Sequence, residues 1–383
     1  MIRRQKAIDT LRSKLDDADI QYICIVWEKW IGKSTFLRDL EGDGFFWETW
    51  FYTYIYLDNW ANIEPEMLNK SELIIIDTED ARESTFWEEI INLLPAGRRL
   101  IFTSNQKIDL EWVENMYLGI VSFREYADSQ WYPVEIWKVL SWESDIEKLN
   151  SIKETYMERW WFPLHLTHPE TIIEDYNKKW AIIESKVFKK EHEILIEFMR
   201  TLAMNIGNLF KADQLGKLLG ISRRKVNKYT EILLEQWIIR AVWPWWPNTD
   251  TETSRHVKLY FTDLSFVKIL LWDTFNQWTL KLGAIENFIY LELERKLDET
   301  HGISYYRKKS WAEITFILEN KATETVTPVA VTLRDSESIS QVFRSFDDAY
   351  HDKTERFMLV NATVWWKKDI NGIPLIILPH VAI

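Results

Sequence analysis

The sequence predicts an α/β chain that opens with a doubly wound, mostly parallel sheet, continues through a helical region and closes with an α+β region. Three observations carry this prediction. Short apolar runs alternate with amphipathic stretches from Gln21 to Thr103, the rhythm of strands joined by crossover helices. From about residue 145 to 240 the pattern changes to helices alone. From 257 onward, apolar strands and one long helical stretch mix again.

Taken in order, residues 4–18 read as an amphipathic helix with Ala7, Leu11 and Leu15 on one face. Gln21 to Val26 is a short apolar run with the length of a buried strand. A loop and a helix starting near Lys33 follow, then strands at Phe51–Leu57 and Leu73–Asp77, a helix from Thr85 to Leu94, and a strand at Arg99–Thr103. Lys211 to Ser222 has a helix–turn–helix rhythm. Ser222 is placed to cap the next helix, which carries Val226, Tyr229, Ile232 and Leu233 on one face. The closing region has a helix near 283–297 and strands including Ile314–Leu318 and Val326–Leu333. Three domains are expected, at 1–143, 144–250 and 251–383.

Composition bounds the function. At 383 residues the chain exceeds one ordinary core. Its 46% apolar and 28% charged content is that of a globular protein. A net charge of −12 argues against a broadly basic nucleic-acid surface and leaves room only for a local patch. Cys24 is the single cysteine, so no intrachain disulfide forms and a reducing cytoplasm is expected. No signal-peptide core follows the basic start, and no stretch is apolar enough to cross a membrane.

One ratio is anomalous. Tryptophan outnumbers glycine, 22 to 11, although glycine ordinarily makes up about 7% of a chain. The excess falls where chains turn, as in the adjacent pairs Trp160-Trp161, Trp245-Trp246 and Trp365-Trp366. Some bacterial lineages read the codon UGA as glycine, whereas other codes read it as tryptophan. The expectation is that Trp27, Trp30, Trp160, Trp161, Trp245, Trp246 and Trp311 are glycines in the native protein.

With that substitution a site becomes readable. Residues 27–35 are Trp-Glu-Lys-Trp-Ile-Gly-Lys-Ser-Thr, between a strand and a helix. With glycine at 27 and 30 they match G-x-x-x-x-G-K-[ST], the phosphate-binding loop. Backbone N–H groups must wrap the phosphates there, so bulky side chains obstruct the approach. The candidate nucleotide ligands are Trp27, Trp30, Gly32, Lys33, Ser34 and Thr35, with Lys33 on the β- and γ-phosphates. Ser34 and Asp77 are the candidate magnesium ligands, Asp77 because it ends the apolar run Leu73–Ile76. Asp77 and Glu79 are the candidate catalytic acids. A glutamate directly after the aspartate would position the attacking water, but Thr78 stands there and the acids resume at Glu79 and Asp80. Thr103-Ser104-Asn105 offers polar groups at the next strand end, where a γ-phosphate sensor would sit.

Further segments, in order along the chain, carry a family resemblance. They are Ser122-Phe123-Arg124-Glu125-Tyr126, Trp160-Trp161-Phe162-Pro163, Lys258 to Asp263, Gly283-Ala284-Ile285-Glu286-Asn287-Phe288 and Tyr305 to Phe316. Together with the loop they resemble the prokaryotic AAA-type P-loop ATPases that carry a C-terminal domain of unknown function with a nuclease-like core. The resemblance covers nearly the whole length. It implies a P-loop NTPase sheet, a helical and winged-helix region, and an α+β domain with a restriction-endonuclease-like core. It also implies ATP and Mg2+ as cofactors. The chain departs from the pattern at Thr315, where the family has aspartate, and at Ala330 and Thr332, where a Glu-x-Lys would fall. Glu313 remains alone, so no nuclease activity is expected.

Three functions compete. The first is an ATP-binding switch with slow hydrolysis, whose C-terminal domain docks a protein partner. The second is a DNA-binding regulator using the helix–turn–helix at 213–235, with Arg223, Arg224, Lys225 and Lys228 at phosphates. The third is a scaffold that has lost nucleotide binding.

Overall fold

The structure, a computed structural model, describes residues 4–27, 52–57, 71–78, 84–104, 107–118, 121–132, 145–159, 183–245, 256–271, 278–297, 300–308, 313–333, 337–361 and 366–383, with residues 36, 37, 40, 45, 68, 134, 177, 180 and 181. The chain divides into two compact units. One comprises Met1–Val121 with Phe162–Thr167, and the other Ser122–Trp161 with His168–Ile383.

The first unit is an α/β layer structure. Helix α1 (Gln5–Asp16) buries Ile8, Leu11 and Leu15 on one face, as helical spacing dictates. Five strands follow: β1 (Tyr22–Trp27), β2 (Tyr52–Leu57), β3 (Leu73–Thr78), β4 (Arg99–Ser104) and β5 (Val113–Leu118). Helix α2 (Ser84–Leu93) precedes β4. The sheet order is β2-β3-β4-β1-β5 and every pairing is parallel. Every residue of β3 is buried, which is why the central strands read as continuous apolar runs rather than alternating ones. Cys24, Val26, Ile74, Ile76, Leu100 and Phe102 form the core with Trp87. The Trp87 ring lies 4.0 Å from that of Phe102.

The second unit begins with helices α3 (Phe123–Ser129), α4 (Ile146–Arg159), α5 (His192–Met204), α6 (Ala212–Leu219) and α7 (Arg223–Glu235). Strands β6 (Ile239–Pro244) and β7 (Lys258–Phe261) pair antiparallel, and helices α8 (Leu264–Leu271) and α9 (Trp278–Glu294) follow. Then come β8 (His301–Arg307), β9 (Glu313–Asn320), β10 (Thr325–Val331), α10 (Glu337–Tyr350), β11 (Phe357–Asn361), β12 (Trp366–Ile370) and β13 (Ile373–Pro379). These eight strands make a mixed sheet ordered β12-β13-β11-β10-β9-β8-β6-β7.

The expected motif segments have structural roles in this unit. Ser122 caps α3, and its hydroxyl and backbone N–H both engage Glu125 in a capping box. Phe123 and Tyr126 are buried against Tyr156, and Phe123 also meets Phe288 of α9. Asn287 of α9 accepts the Phe261 N–H at 2.7 Å and donates to the Phe261 carbonyl at 2.7 Å. Its amide thereby fastens the helix to β7. Gly283 permits close approach, since a side chain there would meet the Ile206 carbonyl.

Several elements differ from the sequence reading. Trp27 is the last residue of β1, paired with Leu118, rather than a loop residue. Strand β5 and helix α10 had not been anticipated. Trp245 is buried, with its ring 5.4 Å from Phe346 and 5.0 Å from Tyr350. That packing is a core tryptophan's, so the structure argues against glycine at 245. Trp30, Trp160, Trp161, Trp246, Trp311 and Trp365 lie outside the described residues.

Candidate nucleotide site

Because the first sheet is parallel throughout, the carboxyl ends of β1, β4 and β3 emerge along one edge, where open α/β sheets bind ligands. Residues 28–35 follow β1 directly, and Phe36, Leu37 and Leu40 beyond them are helical and buried. The segment is thus flanked by a strand and a helix, as a phosphate loop requires. Trp30, Gly32, Lys33, Ser34 and Thr35 themselves lie outside the described residues, as do Glu79, Asp80 and Asn105.

Asp77 is described, near the carboxyl end of β3, and fully buried. The Tyr54 hydroxyl of β2 donates to its Oδ2 at 3.0 Å. The Thr103 hydroxyl of β4 donates toward its Oδ1 at 3.2 Å and accepts the Thr78 N–H at 2.8 Å. Strands on both sides of β3 therefore hold the carboxylate. A fully buried carboxylate, two strands from the end of β1, is thus held by hydroxyl donors from both neighbouring strands. Thr103 had been anticipated as a polar strand end. Tyr54 had not, because a tyrosine in an apolar strand reads only as β-propensity. The alternation Tyr52, Tyr54, Tyr56 was the available signal.

In the second unit, the positions expected to have lost a metal site are occupied by ordinary sheet interactions. Thr315 is buried and its hydroxyl accepts the Val331 N–H at 3.1 Å. Ala330 lies within β10, and the Thr332 N–H reaches the Val360 carbonyl at 2.9 Å. Glu313 pairs with Arg307 at 3.1 Å and closely with Lys258. Lys258 is itself almost fully buried and has Glu286 of α9 at 3.9 Å. Burial acts to lower the Lys258 ammonium's pKa, but Glu286 and Glu313 outweigh it and hold that pKa above its usual value. Burial raises the Glu286 carboxyl to about 7, against the pull of Lys258. The members of this cluster lie on four separate elements, so no local sequence pattern marks it.

Around the helix–turn–helix, Gly220 closes α6 and the Ser222 hydroxyl accepts the Lys225 N–H at 3.3 Å to open α7. Of the basic residues on α7, Arg223 pairs with Asp213 at 3.4 Å and Lys225 with Glu191 at 2.8 Å. Lys228 stands over the Phe188 ring at 5.8 Å.

A family profile described as a domain of unknown function (DUF8612) matches residues 183–276, which span α5 to α8. No curated protein matches the chain. Among solved structures, the chain is distantly similar to AMPPCP-bound DnaA from Aquifex aeolicus, at 11% identity over 61% of this chain and 87% of that one, with a TM-score of 0.28. It is similar to a DNA replication initiation factor at 12% identity over 76% and 92%, TM-score 0.26. It is also similar to the Bacillus subtilis DNA clamp loader delta protein at 9% identity over 76% and 95%, TM-score 0.25. Among the described residues, no helix is long and apolar enough to cross a membrane.

Proposed function

We propose that the chain binds Mg-ATP at the edge formed by β1, β4 and β3, and acts as a nucleotide-dependent switch of the AAA type with slow hydrolysis. The observation that carries this is the buried Asp77 carboxylate, held by Tyr54 and Thr103 two strands from the one that leads into Gly32-Lys33-Ser34. Backbone groups of residues 27–35 would surround the phosphates, with the Lys33 ammonium on the β- and γ-oxygens. Ser34 and Asp77 would hold Mg2+, which neutralises phosphate charge. Glu79 is the nearest acid after Asp77 for orienting a water. The second unit would be an interaction module, built from a winged-helix part and a nuclease-like sheet without metal ligands.

The test uses the full chain carrying Trp27→Gly and Trp30→Gly. Mg-ATP at about 100 times its dissociation constant should raise stability by about 2.7 kcal/mol. Adding Lys33→Ala should abolish that shift and leave the melting temperature without nucleotide unchanged. No nucleotide-dependent shift in the glycine-bearing chain would overturn the proposal.

A second reading, DNA binding through α6 and α7, draws on one topological observation. Leu209, before α6, forms a single antiparallel bridge to Lys258 of β7, and α5, α6 and α7 are followed by the antiparallel pair β6–β7, the layout of a winged helix. Against it, Arg223 and Lys225 are already engaged by carboxylates.

A further inference from the structure

We infer that the functional protein carries glycine at positions 131 and 237, two sites that no sequence motif marks. Both tryptophans occupy the left-handed region, Trp131 at φ 60° and Trp237 at φ 57°. A β-carbon crowds the following carbonyl there, and glycine, having no β-carbon, avoids the clash. Each stands one residue past the C-cap of a helix. After α3, the Trp131 N–H bonds the Asp128 carbonyl at 3.0 Å and the Tyr132 N–H bonds the Ala127 carbonyl at 3.0 Å. After α7, the Trp237 N–H bonds the Leu234 carbonyl at 3.0 Å and the Ile238 N–H bonds the Leu233 carbonyl at 2.9 Å. This nested pair of bonds is the Schellman closure, whose left-handed residue is usually glycine. The same chain closes α6 with a left-handed glycine, Gly220 at φ 65°.

Burial does not offset the strain. Trp131 is 93% exposed, so its ring is an apolar surface facing water. Trp237 is 38% exposed, and its ring faces the Arg240 guanidinium at 3.7 Å. Arg240 also has Glu294 at 3.6 Å. Among the described residues, the other non-glycine residues with positive φ are Glu324 and Asn371, and asparagine before Gly372 is an ordinary hairpin turn. Trp87 and Trp245 are the contrast. They are buried, packed on aromatic partners and absent from the positive-φ set. These four tryptophans fall into two physical classes, as expected if some are UGA codons read as glycine in the cell and others are UGG.

Two measurements test this without nucleotide, so they stand or fall separately from ATP binding. Tandem mass spectrometry of the protein from its source cells should read glycine at 131 and 237 and tryptophan at 87 and 245. Tryptophan at either 131 or 237 overturns the inference. In the full chain as written, Trp131→Gly and Trp237→Gly should each raise the melting temperature by about 2–4 °C, whereas Trp87→Gly should lower it. A drop for both of the first two variants also overturns it.

Discussion

Lys258 and Glu286 show how one buried cluster makes stability depend on pH. Glu286 titrates near 7 in the fold against 4.5 for an ordinary glutamate, chiefly through burial. A carboxyl with a raised folded pKa binds its proton more tightly in the native state. Its contribution is fully present below about pH 4.5 and is lost as pH rises to 7, by on the order of 3 kcal/mol. Lys258, Glu313 and Tyr260 surround it, so the loss reflects the whole cluster. His380 has the opposite sign. Burial, with Lys153 nearby, lowers it to about 3, and its Nε2 lies 2.9 Å from the Thr332 carbonyl. Its stabilisation is present above about 6.5 and is lost as pH falls. Between 4.5 and 6.5 the two slopes oppose each other and partly cancel. Thermal melts from pH 4.5 to 7.5 should therefore show Glu286→Gln gaining on the parent chain as pH rises. His380→Gln should show its deficit shrink as pH falls. Parallel curves for parent and both variants would contradict the assignment.

Among elements, α9 fastens the second unit through polar clamps as well as apolar packing. Asn287 holds both backbone groups of Phe261, and the Glu292 carboxylate accepts the Phe123 N–H at 3.0 Å. Asn287→Ala strands a buried N–H and a buried carbonyl, which costs about 1–3 kcal/mol for each group left unsatisfied. A fall in the urea midpoint with an unchanged slope would register that loss, and an unchanged midpoint would show that solvent reaches β7. Such clamps explain what the sequence made legible and what it did not. Strands β1, β3 and β4 were readable because burial on both faces leaves continuous apolar runs. Strand β5 was not, since it lies at the sheet edge and Glu114-Asn115 interrupts its run. The Asn115 side chain is spent on Ile108, a partner no local pattern announces. Helix α10 hid behind Ser338, Ser340 and the Asp347-Asp348 pair, although Phe343 and Phe346 have helical spacing and are fully buried. Asp77 was legible from its place after Leu73–Ile76. Tyr54 and Thr103, which hold it, come from neighbouring strands and become its partners only once the sheet is formed.

For the whole chain, charge and sheet chemistry bear on the same question, whether nucleic acid is a partner or a substrate. The net charge is −12, so duplex binding through α7 would rest on a local patch, where carboxylates already hold Arg223 and Lys225. Any affinity should be weak and fall steeply between 50 and 200 mM salt, roughly as the number of phosphates contacted. Arg224→Ala with Lys228→Ala should reduce that slope, and a salt-independent affinity would point to another surface. Cleavage is a separate matter. Nuclease chemistry needs acids gathered around a metal that activates water. In the mixed sheet, Thr315 is committed to the Val331 N–H, Ala330 offers no ligand, and Glu313 is neutralised by Lys258 and Arg307. A metal recruited by Glu313 would have to displace two cations, one of them buried. Purified chain incubated with plasmid in magnesium or manganese should therefore leave the DNA intact. Lys258→Met is the sharper variant, because it frees Glu286 and Glu313 from their shared cation while keeping the stem's volume. If Lys258 only neutralises the two acids, that variant should be less stable at pH 8 than the parent and still fail to cut. Cleavage by the parent chain that disappears with Glu313→Ala would show that the acids of this sheet still assemble a working metal site.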